Sequence, residues 1–183
     1  MVLRRKGSLR LALIIMGAGW CHIAQAQALP AASRAPIEVG AAFSFASPDY
    51  NQTYVKGISA YGGFGLTRRL YAVGEFNDDN LLTPGKLGET TALGGIRYSV
   101  SLQDRANIYA KVLGGVGWID FKSPAFPPHT DTSGVFAFGG GINFRLSGRW
   151  SVRCIDLEEQ LWPGYPPHGL NPVVVSMGIT YMR

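Results

Sequence analysis

The stretch "FGGGINFRLSGRWSVRCIDLEE", residues 138–159, consists of two alternating runs on either side of a tight Ser-Gly-Arg turn. One face of the first run is apolar and partly aromatic, whereas the other face holds glycines and Arg145. The second run carries Arg153, Asp156 and Glu158 inside a strand-like pattern. Because successive side chains of a strand point to opposite faces, this hairpin has one apolar face and one face of small or charged residues.

The same alternation recurs along the chain and predicts eight strands. Their predicted bounds are Ile37–Phe45, Tyr54–Leu66, Leu70–Phe76, Thr90–Val100, Ala106–Asp120, Val135–Leu146, Trp150–Gln160 and Val173–Met182. Most of these strands are near or above the length of about 9–11 residues that a tilted strand needs to cross a bilayer. No apolar run after residue 26 is long enough for a membrane-spanning helix.

The predicted connections alternate strictly between short and longer segments. The short ones are "TRR", "SLQDR" and "SGR", and the longer ones are "ASPDYNQ", "NDDNLLTPGKLGE", "FKSPAFPPHTDTSG" and "LWPGYPPHGLNP". Short turns at one end and longer loops at the other are typical of an outer-membrane barrel. The sequence therefore predicts an all-β fold, an eight-stranded antiparallel up-and-down transmembrane β-barrel. A lipocalin-like soluble barrel also has eight up-and-down strands and is the main structural alternative.

The composition of the two faces favours the membrane barrel. The glycine-rich, sparsely charged face suits a narrow interior crowded by eight strands, and the apolar face then meets lipid. We expect seven charged side chains of both signs to point into the lumen as an ion-pair network that plugs the barrel. They are Glu38, Glu75, Arg97, Lys111, Arg145, Asp156 and Glu158.

Two basic residues lie at positions whose side chains should point outward rather than into the lumen. Arg153 shares the face of Ile155, and Lys56 shares the face of Ile58. Both lie close to strand ends, where an outward charge is tolerated near the membrane interface. A β-bulge in the seventh strand would instead turn Arg153 inward. The sequence leaves these two alternatives open.

Aromatic residues gather at both ends of the apolar face. Two belts of amphipathic rings are expected where a barrel meets the headgroup layers. Tyr98, Phe144 and Tyr181 fall near the short-turn ends of their strands, and Phe43, Phe45, Phe76 and Trp118 fall near the long-loop ends.

The first 26 residues read as a cleaved secretory signal peptide. A basic segment precedes an apolar core of about ten residues, and small residues then lead to a cleavage site after Ala26. Residues 27–36 form a short lead, and residues 37–183 form a single barrel domain. We expect the protein to be exported to the bacterial outer membrane and to contact outer-membrane lipid.

Removal of the signal peptide changes the charge balance. Four of the seventeen Lys and Arg residues precede the cut, which leaves thirteen against twelve Asp and Glu residues. The basic isoelectric point is thus no evidence for nucleic-acid binding. Only Cys154 remains, so neither an internal disulfide nor a cysteine metal site is expected. No nucleotide-binding or zinc-binding spacing is present, and we expect no cofactor.

The sequence favours a structural or surface-interaction barrel, and a weak pore for small solutes is compatible with it. Two functions of other classes remain open. A soluble carrier of a lipophilic ligand would need the apolar faces to point inward. A lipid-modifying enzyme would need a nucleophile and a base near the outer rim. His129 and His168 lie in the predicted long loops, with Asp131 and Ser133 near His129. Mobile loops hold catalytic geometry poorly, and two imidazoles make a weak metal site, so we expect neither catalysis nor a metal centre.

The chain resembles the OmpA-like outer-membrane β-barrel domain family, as a small member that consists of the barrel alone. The resemblance rests on the signal peptide, the eight alternating strands, the glycine-rich sixth strand with its short turn, and the Arg153-x-x-Asp156 pattern. It implies insertion by the barrel-assembly machinery and the absence of a cofactor. The long loops would then face outward and could contact a surface ligand that the sequence does not identify.

Overall fold

A computed structural model describes residues 36–47, 54–79, 81–82, 87–121, 129–164 and 169–183. Eight strands follow one another in chain order, and all pair antiparallel with their neighbours. They are β1 Ile37–Ser47, β2 Val55–Gly65, β3 Leu70–Asp78, β4 Leu87–Ser101, β5 Ala106–Phe121, β6 His129–Arg145, β7 Trp150–Leu161 and β8 Val173–Met182. The predicted signal peptide and lead, residues 1–26 and 27–36, lie outside the described residues except for Pro36.

The last strand closes the sheet onto the first. β1 pairs with β2 on one side and with β8 on the other, where Gly40 lies opposite Thr180 and Phe43 opposite Met177. Closure leaves no free strand edge, so every strand is hydrogen-bonded on both sides. The predicted eight-stranded antiparallel up-and-down barrel is confirmed. In the part of the chain that the structure describes, no helix is long and apolar enough to cross a membrane.

The three short turns share one hydrogen-bonding pattern. Leu66 donates its backbone N–H to the carbonyl of Leu70, Leu102 donates to that of Ala106, and Leu146 donates to that of Trp150, at 2.8–2.9 Å. The last residue of each turn is an arginine, and its backbone carbonyl accepts a hydrogen bond from a backbone N–H of a neighbouring strand at 2.7 Å. These three arginines are Arg69, Arg105 and Arg149. All three turns therefore present an arginine at the same position of the same end of the barrel.

The longest strands extend beyond their predicted bounds at the long-loop end. β6 begins at His129 rather than at Val135, because residues 129–134 pair with the end of β5, with Thr132 opposite Trp118. The stretch "HTDTSG" reads as a loop by composition, and its pairing partner overrides that local preference. His129 is accordingly a strand residue here and not a loop residue.

Candidate functional site in the barrel lumen

The two faces of the strands differ as sharply in the structure as in the sequence. On the outside, large apolar side chains are exposed over the whole barrel, as Val39, Val112, Phe136 and Met177 illustrate. On the inside, charged and polar side chains are buried, which reverses the usual arrangement of a water-soluble protein. The carrier alternative needs an apolar lumen, and the described lumen is strongly charged around its middle.

Lys111 of β5 lies at the centre of the lumen and is bound by three carboxylates. Its Nζ lies 2.6 Å from Glu75 Oε2, 2.9 Å from Asp156 Oδ1 and 2.7 Å from Glu158 Oε2. The lysine is only 3% exposed, and all three acids are buried. The carboxylates come from β3 and β7, so this one ammonium group ties strands from opposite sides of the barrel.

Arg153 joins this cluster through a β-bulge in β7. The register against β8 passes from Arg153–Gly178 to Asp156–Ser176, so two residues of β7 lie opposite one of β8. The bulge turns Arg153 inward, where it is 2% exposed. Its guanidinium lies 3.5 Å from Glu75 and 3.4 Å from Asp156. Of the two alternatives left open by the sequence, the structure shows the bulge.

Two tyrosines pack against this arginine. The Arg153 guanidinium carbon lies 3.4 Å from the ring centroid of Tyr61 and 5.7 Å from that of Tyr109. The Tyr109 hydroxyl donates to Asp156, and the Tyr61 hydroxyl lies 2.8 Å from Thr180 Oγ1. The rings fill the space between the ion pairs. Their faces contact the guanidinium, and the Tyr109 hydroxyl provides a hydrogen bond to the carboxylate.

A second ion pair lies nearer the short-turn end. Arg97 of β4 pairs with Glu38 of β1, and both side chains are buried. The same guanidinium lies 4.7 Å from the Tyr71 ring centroid and 5.2 Å from that of Tyr109. Arg145, the seventh predicted lumen charge, is exposed and lines a cavity at the short-turn mouth. No ion pair joins it to the network among the described residues.

Inward glycines provide the space that these long side chains occupy. A Cβ added to Gly40 would lie 2.4 Å from the Tyr61 ring, and one added to Gly141 would lie 2.6 Å from the Tyr109 hydroxyl. At Gly117 the added atom would lie 2.2 Å from the indole of Trp162. The glycine-rich inner face is therefore a consequence of filling a narrow lumen with aromatic and charged side chains.

The long-loop end of the lumen is sealed by apolar packing. Trp162, just beyond β7, is 1% exposed and belongs to a buried cluster with seven further side chains. These are Val73, Leu93, Leu113, Ile119, Val135, Ala137 and Leu170. The backbone N–H of Trp162 donates to the Leu170 carbonyl at 2.9 Å, so the seventh connection begins by folding into the barrel. No periodic pattern in the sequence indicates that Trp162 is buried, because it lies in a proline- and glycine-rich connection.

A buried carboxyl group lies just beyond the long-loop end of β3. Asp79 follows β3 and is 2% exposed, and Ser44 Oγ donates to its Oδ1 at 2.8 Å. Burial raises the pKa of Asp79 to about 7; the hydrogen bond from Ser44 opposes this effect. The carboxylates of Glu89, Glu158 and Asp78 raise the pKa further, because each disfavours a second negative charge.

Each predicted aromatic-belt residue belongs to the outward set. Phe43, Phe45, Phe76, Tyr98 and Phe144 are exposed, and Trp118 and Tyr181 are half-buried. Tyr181 packs edge-to-face on Trp150 with the centroids 5.0 Å apart. Lys56 is exposed at the second position of β2, so it lies outward at a strand end.

The residues considered for catalysis or metal binding do not form a site among the described residues. His129 stacks on Phe121, and its Nε2 lies 4.0 Å from Asp131 Oδ2, with both side chains more than half exposed. Ser133 Oγ donates to the neighbouring Gly134 carbonyl rather than to the histidine. In the described ranges, no three His, Cys, Asp or Glu residues cluster as metal ligands. His168 lies outside them.

The comparisons with known proteins show the fold. No protein-family model and no curated protein matches the chain. Ail of Yersinia pestis, solved with the heparin analogue sucrose octasulfate, is 14% identical with a TM-score of 0.53, over 82% of this chain and 100% of that one. Neisserial surface protein A is 12% identical with a TM-score of 0.61, over 80% and 95%. The N-terminal barrel of Pseudomonas aeruginosa OprF is 10% identical with a TM-score of 0.58, over 82% and 98%.

These structures show which class of fold the chain has. The chain matches these structures over 80–82% of its length as a closed antiparallel barrel, so it has the fold of an eight-stranded outer-membrane β-barrel. At identities of 10–14% the likeness concerns the fold alone.

Proposed function

We propose that this chain is a bacterial outer-membrane β-barrel of the OmpA-like kind, with a structural or surface-interaction role and a plugged lumen. One observation carries the proposal: an apolar exterior surrounds a lumen closed by buried ion pairs. An apolar surface of this extent needs lipid around it. A lumen crossed by the Lys111 cluster and covered by Trp162 leaves little room for diffusion.

Export and insertion follow from this proposal. Residues 1–26 are removed as a signal peptide after Ala26, residues 27–36 lead into the barrel, and the barrel-assembly machinery inserts the strands. The short turns then lie in the periplasm, and the longer connections face the outside. The long-loop end is the surface on which an external ligand would act. We propose no enzymatic activity, because the described His129 and Ser133 are not coupled to one another.

Fractionation and electrophoresis test the location. The full chain is expressed in a Gram-negative host, and outer membranes are analysed on a detergent gel with and without boiling. We expect an outer-membrane band that migrates faster unboiled, since a closed barrel resists detergent. N-terminal sequencing should begin at residue 27. Soluble periplasmic protein without a mobility shift would contradict the proposal.

Planar-bilayer recording tests the plug. The wild-type barrel should show at most small, rare conductance steps. Replacement of Trp162 and Lys111 together by alanine should raise the conductance, because it removes the outer seal and the central cation. A large, steady conductance of the wild-type protein would overturn the plugged-lumen proposal and favour a pore.

A further inference from the structure

The short-turn end of the barrel contains a polar cavity that the plug does not fill. Its volume is about 330 Å³, which lies at the small end of the range for ligand-binding cavities. Residues from the turn between β2 and β3, from the first part of β1 and from the short-turn ends of β3 to β8 line it, and all of them are described. Arg97 and Tyr71 form its inner wall.

The cavity has a large excess of positive charge. Four arginines line it, Arg68, Arg69, Arg97 and Arg145, against the single acidic residue Glu38. That carboxylate is already paired with Arg97. The Arg69 guanidinium donates at 3.3 Å to the hydroxyl of Tyr98, which belongs to the outward set, so Arg69 is engaged at the outer face of the rim. Among the described residues, Arg68 and Arg145 have no carboxylate partner.

Neutral hydrogen-bonding groups complete the lining. Ser99, Asn107, Asn143 and Ser151 contribute hydroxyl and amide groups to the cavity wall. Ser151 is buried. Hydroxyl and amide donors beside guanidinium groups are the set that oxyanions use, because guanidinium binds phosphate oxygens in a bidentate manner.

The cavity is a dead end rather than a passage. On its inner side Arg97 is buried against Tyr71 and Tyr109, and the Arg153 cluster lies beyond Tyr109. A solute that enters from the short-turn end therefore stops beneath the plug. Such an arrangement suits binding and not transport.

We infer that this cavity is a binding site for a phosphate-class anion. The ligand chemistry is an anionic phosphoryl group, held by Arg68 and Arg145 at the mouth and by the hydroxyl and amide groups inside. A free phosphate compound and a lipid phosphate share this chemistry. The inference adds a site at the opposite end from the long loops and does not require that those loops bind anything.

Titration with inorganic pyrophosphate tests the site. The folded full chain in a maltoside detergent and a phosphate-free buffer is followed by calorimetry. The double variant Arg68→Gln/Arg145→Gln should weaken binding about tenfold or more, since each lost charge-assisted bond is worth about a factor of ten. The matched control Arg105→Gln/Arg149→Gln removes the same charge from the same rim but no cavity residue. It should change the Kd by about twofold or less.

Three outcomes would overturn the inference. Equal losses in the two double variants would mean that only the general charge of the rim attracts the anion. Unchanged affinity in the cavity variant would place binding elsewhere, and absence of binding to the wild type at about 10 mM pyrophosphate would remove the site. The mobility shift on unboiled gels shows that each variant has folded.

Nanodiscs distinguish the two sources of phosphate. The pyrophosphate titration is repeated in nanodiscs of phosphatidylcholine alone and in nanodiscs that also contain phosphatidylglycerol. If a lipid phosphate occupies the cavity, pyrophosphate binds more weakly in the anionic nanodiscs, and the cavity variant loses this difference. If the ligand is a free anion, the anionic bilayer weakens pyrophosphate binding only by general repulsion, by the same factor in the wild type and in the cavity variant. Either result supports a phosphate site and names its source.

Discussion

At the scale of single residues, the stability of the barrel depends on a few buried charges in the lumen that share their partners. Lys111 faces three carboxylates, and Arg153 shares two of them. Breaking a buried pair leaves a charge that neither water nor a partner stabilises. The network therefore holds the strands in one arrangement. Removing one of its charges should lower the free energy of unfolding far more than removing an exposed charge.

Replacement of Lys111 by methionine should lower the free energy of unfolding by about 3–5 kcal/mol, because three buried carboxylates lose their common cation. Urea unfolding of the barrel in lipid vesicles measures the change. Lys56→Met is the matched control, since Lys56 is exposed at a strand end, and it should cost about 0.5 kcal/mol or less. Equal effects of the two substitutions would show that the central ion pairs contribute no more than a surface charge.

Gly117→Ala should displace the indole of Trp162, because the added Cβ would lie 2.2 Å from the ring. We expect a loss of about 1–3 kcal/mol and a red shift of the Trp162 fluorescence as the seal opens. Gly134→Ala is the control, since nothing lies within 4 Å of its added Cβ. An unshifted spectrum in the Gly117 variant would mean that Trp162 does not cover the lumen.

The stability of the barrel should depend on pH through Asp79. Its pKa of about 7 in the folded protein lies above the ordinary value of 3.8. The folded barrel thus binds a proton that the unfolded chain releases, so the free energy of unfolding falls as the pH rises from about 4 to about 7. Between pH 5 and pH 8 this proton release should lower the free energy of unfolding of the wild type by about 2–3 kcal/mol, and Asp79→Asn should abolish that decrease.

Urea unfolding of the two proteins at both pH values measures this difference. The matched control is Asp104→Asn, which changes an exposed aspartate in a short turn. Its pH dependence should follow the wild type. If Asp79→Asn also follows the wild type, Asp79 is charged in the folded barrel, and its burial beside Ser44 is incorrect.

At the scale of strands, alternation predicts which side chain points inward, but only while the strand stays regular. Seven of the eight strands keep one parity, so their faces follow directly from the sequence. In β7 the bulge between Arg153 and Asp156 changes the parity. The misplaced charge of Arg153 indicates a bulge from the sequence, but it does not distinguish a bulge from an outward charge at the membrane interface. Trp162 lies outside any periodic pattern. The extension of β6 to His129 depends on its pairing with β5, a contact between distant parts of the chain.

Deleting one residue from β7 should be tolerated at the bulge and disruptive elsewhere. Without Cys154, Arg153 and Asp156 are separated by one residue and both still point inward, so the barrel should fold. Without Leu157, Asp156 and Glu158 become neighbours, and one of them must face lipid. The unboiled mobility shift should therefore persist in the first deletion and disappear in the second. Loss of the shift in both would contradict the assigned bulge.

At the scale of the whole molecule, the two ends of the lumen differ in chemistry. Apolar packing around Trp162 seals the long-loop end, ion pairs fill the middle, and an arginine-rich cavity opens at the short-turn end. The fold class and the charged interior could be predicted from strand parity and connection length. The seal and the cavity could not, because both depend on how connections fold over the barrel ends.

The central claim is that the apolar face of each strand meets lipid, and spin-label accessibility along β8 tests it most directly. Nitroxides are placed singly from Val173 to Tyr181, in a background without native cysteines, on barrels in phospholipid vesicles. We predict that Val175, Met177 and Ile179 are accessible to membrane-dissolved oxygen, whereas Ser176 and Thr180 are not. Oxygen accessibility that does not alternate, or that is highest at Ser176 and Thr180, would contradict the account.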